Sequence, residues 1–321
     1  MRNKKMQFPP AASLLLLVMA AFLLACSEQP TEPVFAEKLV VNGFLRLGGG
    51  VDSIVVSRTV AIEERFDVAH SRVRGALVRL RRQNDRWFTL RERHTAAGDS
   101  VSLPGVYFLP PESLQVESGQ TYELQVTALG QTVTAQTTVP PQISLLEANR
   151  GLRYGDRPLL ASGDTVEYVS GKSFADAPLF SLFWPPLPGV SLYRVIADAD
   201  NNDFRNLIRD TTTAANIFKG DLQQRKEPFG FNIAFTPDYN PMRARISWLY
   251  FNYYGWHTIR LLAMDEAYAR YMQGQLDDGA QREMPKSNIV GGYGILASYS
   301  EVKLRVYLKK GPRSEPGALS P

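Results

Sequence analysis

From residue 39 to residue 141 the chain alternates short apolar and β-branched runs with turn residues. The runs lie at residues 39–45, 53–57, 76–80, 87–90, 105–108, 121–126 and 132–135, and are rich in Val, Leu, Tyr and Thr. Asn84-Asp85, Gly98-Asp99, Ser118-Gly119 and Leu129-Gly130 divide them. Short strands at this spacing, with no helical period between them, predict an antiparallel sandwich or barrel, read here as one β-sandwich. Pro140-Pro141 closes the unit, because neither residue can donate to a ladder. The expected N-terminal β-sandwich therefore spans residues 38–141.

A second β-rich unit is expected over residues 142–310. Residues 180–184 and 192–196 read as strands joined through Pro185-Pro186-Leu187-Pro188-Gly189. A strand ending in Trp, a Pro-Gly turn and a Tyr-Arg-Val strand resemble the second and third strands of a fibronectin type III module. Trp184 would then pack across the sandwich. Residues 233–235, 246–251 and 256–262 continue the strand series. Asp265 is placed to cap a short helix over residues 266–276, with Tyr268, Tyr271 and Met272 on one side. Residues 302–308 form a last strand, and residues 311–321 read as a disordered tail. The fold class expected is mainly β: two antiparallel β-sandwich domains, the second fibronectin type III-like with a short helix.

The start of the chain has a different pattern. Arg2, Lys4 and Lys5 precede an apolar run over residues 11–24, the layout of a secretory signal peptide over residues 1–25. The run is shorter than the ~20 residues a bilayer span needs. Leu23-Leu24-Ala25-Cys26 resembles the lipobox of bacterial lipoproteins, which implies that Cys26 becomes the first mature residue and carries acyl chains such as palmitate. More than one chain gives stable anchoring. Residues 26–37, with Pro30 and Pro33, read as an extended tether. By the rule known for enterobacterial lipoproteins, which the lipobox resembles, Ser27 in place of Asp after the cysteine implies the outer membrane, with its periplasmic or surface face left open.

Composition narrows the chemistry. The 321 residues are 44% hydrophobic and 21% charged, values of a globular chain. The one cysteine lies in the lipobox, so neither a disulfide nor a thiolate metal site is expected. A formal net charge of +4 suits anionic headgroups or acidic glycans and is too small to argue for nucleic acid. No cofactor is expected.

Candidate chemistry is sparse. The three histidines are His70, His94 and His257. They form no His-x-x-x-His pair, and no Gly-x-Ser-x-Gly elbow accompanies them. A hydrolase would require His94 or His257 to approach a carboxylate and a serine. Asp198, Asp200 and Asn202 offer a weak calcium loop, but Asp203 and Arg209 stand where an EF-hand needs Gly and Glu. Arg79 and Arg81 share a strand face opposite Val78 and Leu80. A hairpin would add Arg91 and Arg93 to that face and make a patch for phosphate or acidic glycan. The same arginines also serve as the charged outer face of a soluble sheet. Among the aromatics between residues 248 and 256, Tyr253 and Tyr254 read as an exposed pair in a turn beside Trp256, a stacking platform for sugars or a partner. Gly291-Gly292-Tyr293-Gly294 lacks a P-loop lysine and reads as flexible backbone at a strand entry.

Several stretches occur in a recognisable order. Val40-Val41-Asn42-Gly43-Phe44, Val55-Val56-Ser57-Arg58-Thr59 and Val73-Arg74-Gly75-Ala76-Leu77-Val78-Arg79-Leu80 follow the lipobox. Gly119-Gln120-Thr121-Tyr122-Glu123-Leu124, Thr138-Val139-Pro140 and Asn288-Ile289-Val290-Gly291-Gly292-Tyr293-Gly294-Ile295 come after them. This set resembles the domain of unknown function 4249 family of Bacteroidota-type outer-membrane lipoproteins. The resemblance implies an envelope lipoprotein beside TonB-dependent transporters, without established activity or catalytic residues. The expected function is a non-enzymatic binding or assembly accessory of an outer-membrane transporter. The alternatives are a stand-alone carbohydrate- or peptide-binding lipoprotein and an envelope hydrolase.

Overall fold

A computed structural model describes residues 35–93, 104–146, 153–154, 157–158, 161–169, 179–208, 229–234, 242–276 and 286–311. The expected signal peptide, Cys26, His94 and residues 312–321 lie outside the described residues. Among the described residues, those from Lys38 to Gly311 form one compact unit, from which residues 35–37 are set apart.

The first half of the large unit contributes β1 (Leu39–Arg46), β2 (Val51–Arg58), β3 (Leu77–Arg82), β4 (Phe88–Thr89), β5 (Arg91–Glu92), β6 (Val106–Leu109), β7 (Thr121–Ala128) and β8 (Gln131–Thr138). The second half contributes β9 (Arg153–Tyr154), β10 (Arg157–Pro158), β11 (Thr165–Tyr168), β12 (Phe180–Trp184) and β13 (Leu192–Ala199). It continues with β14 (Phe229–Ala234), β15 (Met242–Ile246), β16 (Gly255–Met264) and β17 (Tyr293–Lys310). The fold is mainly β. A nine-stranded sheet runs β14-β13-β16-β17-β1-β2-β6-β5, with β11 also on β17; β4-β3-β7-β8 form a second sheet and β12-β15 a third.

The nine-stranded sheet is the shared layer of two cores. Alternation on β3, β7 and β8 turns Val78, Leu80, Tyr122, Leu124, Val126 and Val133 inward against Leu39, Val41, Ile54 and Val56 of β1 and β2. In the second half, β13, β16 and β17 face β12 and β15 across a core that holds Trp184, Tyr193, Ile246 and Val306. The Trp184 ring lies 5.2 Å from Tyr193 and is fully buried, so it packs between layers as its sequence position predicts. β12 and β13 indeed fall in different sheets.

β17 joins the halves. Its first residues pair in parallel with β1, from Val40↔Tyr293 to Arg46↔Tyr299. Its later residues pair antiparallel with β16, from Met264↔Tyr299 to Gly255↔Leu308. The 18-residue strand is far longer than the seven residues read from charged alternation at residues 302–308. The difference has a physical cause: Ile295–Ser298 is buried on both faces and shows no period of two.

Two further expectations are corrected. Residues 246–251 do not continue as a strand: β15 stops at Ile246, and Trp248–Tyr250 form one 3-10 turn. All three turn residues are buried, and an all-apolar run carries no signal that separates strand from turn. The hairpin between β3 and the Arg91 segment is also absent. β4 pairs with β3, but β5 crosses to the nine-stranded sheet and pairs Arg91 with Phe108 of β6. Leu90, buried between the sheets, is the corner.

The helix Glu266–Leu276 follows β16 as expected. Asp265 Oδ1 accepts a hydrogen bond from the Tyr268 N–H at 2.9 Å, the cap its position predicts. Tyr268 packs with Leu192, Ile196, Leu262 and Met264, and Tyr271 and Met272 lie against the same cluster. Among the described residues, no helix is long and apolar enough to cross a membrane.

Candidate binding groove

The outer face of β4-β3-β7-β8 carries a concave site. Because Val78 and Leu80 point inward, Arg79 and Arg81 must point outward. The register then places Arg81 beside Glu123, and Arg79 beside Gln125. On the next strand Glu123 lies opposite Gln136, and Gln125 opposite Thr134. The floor is thus a row of guanidinium, carboxylate, carboxamide and hydroxyl groups on rigid strands.

Two walls rise from it. The turn after β3, with Asn84 at φ 67°, returns the chain so that Trp87 lies over the arginines. The Arg81 guanidinium carbon sits 4.5 Å from the Trp87 ring centroid and that of Arg79 5.6 Å, within cation–π range. The opposite wall is residues 288–290, tied to the edge of β8. Val290 N–H donates to Thr134 O at 2.7 Å, and Asn288 Nδ2 donates to Gln136 O at 3.0 Å. Asn288 also holds β17, donating to Leu296 O and accepting from Leu296 N–H, so its amide is a clamp. Arg270 of the helix completes a groove of about 510 Å³.

The electrostatics are uneven. Arg81 Nε and Nη2 lie 2.7 and 2.6 Å from Glu123 Oε2, which neutralises the pair. Arg79 Nη2 donates to the neutral Gln125 Oε1, so its charge meets no carboxylate there. Half-buried planar groups beside an indole can recognise a polar, extended ligand by hydrogen bonding and stacking.

The sequence-predicted residues divide between places. Arg79 and Arg81 belong to the groove, whereas Arg91 stands on the other sheet and does not join them. Tyr253 and Tyr254 are not the exposed pair expected. Tyr253 is buried, and half-buried Tyr254 stands edge-on to Tyr168 at 5.8 Å. The Tyr254 N–H donates to Asn206 O, which ties this turn down. Trp256 is exposed, lies 5.3 Å from Tyr307 and is covered by the Arg305 guanidinium at 4.6 Å.

The residues of the weak calcium loop lie on the same surface. Asp198 pairs with Arg260 at 2.7 Å, and Asp200 pairs with Arg305 at 2.8 Å while accepting from the Thr258 hydroxyl. Asn202 is exposed. Both carboxylates are occupied by arginine. Among the described residues, no cluster of three His, Cys, Asp or Glu could hold a metal.

His257 is buried, with Nδ1 3.0 Å from Gly255 O, Nε2 without a hydrogen bond and Phe251 edge-on at 4.9 Å. Burial pushes its pKa down. Among the described residues, neither a serine nor a carboxylate is hydrogen-bonded to it. His70 lies exposed in the helix Val68–Ser71 beside the capping Asp67.

Sequence reasoning missed Trp87 as a wall, and Gln125 and Gln136 as floor. The alternation of β7 and β8 already put both glutamines on the solvent face. What it could not give is the lateral order that aligns them with Arg81.

Fold and groove define a class: a mainly β, sandwich-built protein with a polar, aromatic-walled surface site. The chain belongs to the family described as Domain of unknown function (DUF4249), whose model matches residues 27–305. No curated protein matches it. Among solved structures, a chain titled "Cytokine receptor complex - Crystal form 1A" is 11% identical over 86% of this chain and 100% of that one, with a TM-score of 0.24. A likeness that weak carries no argument about fold or function.

Proposed function

We propose that this chain is a non-enzymatic binding lipoprotein of the bacterial outer membrane, held by acyl chains on Cys26. In this reading it offers the groove over β3, β7 and β8 to an extended polar ligand, a glycan, as an accessory of an outer-membrane transporter. The observation that supports binding is the groove itself. Trp87 and the fixed Arg81–Glu123 pair stand over a floor of carboxamides and hydroxyls, the combination that hydroxyl-rich ligands require. The anchor rests on the lipobox, and the transporter association on the family resemblance.

The test is a glycan array probed with the lipidated protein purified from membranes in detergent, alongside co-purification of its envelope partners. The expected result is retention of a set of oligosaccharides, together with a transporter in the co-purified fraction. An array on which no sugar is retained would overturn the glycan reading, and the absence of any transporter would overturn the accessory role.

A further inference from the structure

We infer that the end of the folded unit where Lys38 leads back to the tether is a lipid-contacting surface, with the loop after β2 entering the headgroup layer. This rests on the reading of Cys26 as an acylated anchor.

The placement follows from backbone register. β1 begins at Leu39, which pairs with Arg58, the last residue of β2. Thr59 N–H donates to Lys38 O, and Lys38 N–H donates to the Thr59 hydroxyl, so the loop after β2 leaves from the point where the tether arrives. In and just beyond that loop Ile62 is 95% exposed, Phe66 64% and Val68 56%.

The start of β17 and the β7–β8 turn belong to the same end. A Cβ on Gly292 would lie 2.5 Å from Leu39 O, and one on Gly291 3.4 Å from Thr132 O, just past the turn. Val290 is exposed there, Leu129 is exposed at the turn, and Tyr293 is exposed opposite Val40. Six large apolar side chains thus stand in water at one end of the unit.

A soluble surface scatters such residues singly, whereas a concentration of them marks a partner or a membrane. The occupant follows from the tether. Fully extended, residues 27–37 reach at most about 40 Å, so an acylated Cys26 holds Lys38 within that distance of the bilayer. Charge is not the attraction, because Lys38 and Arg65 are offset by Glu63 and Glu64. Apolar side chains entering the interface supply it.

The test uses the chain's one cysteine to advantage. With Cys26 acylated, a cysteine introduced elsewhere is the one free thiol. Ile62→Cys, Phe66→Cys and Val68→Cys, each in the lipidated protein, are labelled with an environment-sensitive nitrobenzoxadiazole dye. Gln83→Cys, at the far end of β3, is the control. Each is reconstituted into phosphatidylethanolamine–phosphatidylglycerol vesicles with and without doxyl-labelled lipid. The first three labels should brighten about two-fold on leaving water and be quenched by the doxyl group, while Gln83→Cys does neither. Protein that floats with the vesicles while the dyes at 62 and 66 stay dark and unquenched would overturn this inference and leave the anchor standing. Protein that does not float would overturn the anchor itself.

Discussion

Asp265 shows how much a single side chain can hold in this fold. Its Oδ1 caps the helix through Tyr268 N–H, and its Oδ2 accepts from the Ser298 N–H at 3.1 Å and from the Thr137 hydroxyl. One carboxylate therefore joins β8, β17 and the helix. Burial raises its pKa from 3.8 to about 6, against the lowering effect of its donors. The folded state then binds the proton more tightly than the unfolded chain. This group's contribution is full below 3.8 and is lost as pH rises to about 6. Asp265→Asn turns an amide N–H toward one of these donors and should cost about 1–3 kcal/mol. In urea titrations at several pH values, the advantage of wild type over Asp265→Asn should narrow between pH 3.8 and about 6 and then level off. A constant difference would refute the linkage. The capping role was legible in the sequence, because an acid before an apolar helical period announces itself. Its second oxygen was not, since Thr137 lies 128 positions away.

At the scale of elements, the parallel seam between β1 and β17 is the least forgiving joint. Gly294 has φ +105°, and a Cβ there would lie 2.1 Å from Val41 O. Gly189, in the Pro-Gly turn, has φ +73° with nothing within 4 Å. Gly189→Ala should cost about 1–2 kcal/mol of backbone strain alone. Gly294→Ala adds a collision with backbone and should cost more than about 3 kcal/mol. Chemical denaturation of the two variants checks this, and equal losses would contradict the seam as described. The individual strands were readable because one buried face imposes a period of two. The seam was not, because Val40 and Tyr293 are joined only by a pairing that no local pattern encodes. The groove divides in the same way. Arg79 and Arg81 could be placed on an outer face from their neighbours, whereas the departure of Arg91 to another sheet depends on where Leu90 turns.

For the whole molecule, Val139 belongs to one core and Ile143 to the other. β17 contributes Leu296 to the first core and Leu304, Val306 and Leu308 to the second, so neither half is closed without it. The mature protein is expected to stay with the membrane through Cys26. Cys26→Ala should shift it from the membrane pellet to the soluble envelope fraction on cell fractionation, and undiminished retention would contradict acyl anchoring. The central claim concerns the groove, and a binding isotherm tests it most directly. Lipidated wild-type protein and Trp87→Ala are titrated with the best-retained oligosaccharide. Loss of the stacking wall, about 1.4 kcal/mol, predicts roughly ten-fold weaker binding. An isotherm unchanged by Trp87→Ala would place the ligand elsewhere and contradict the account.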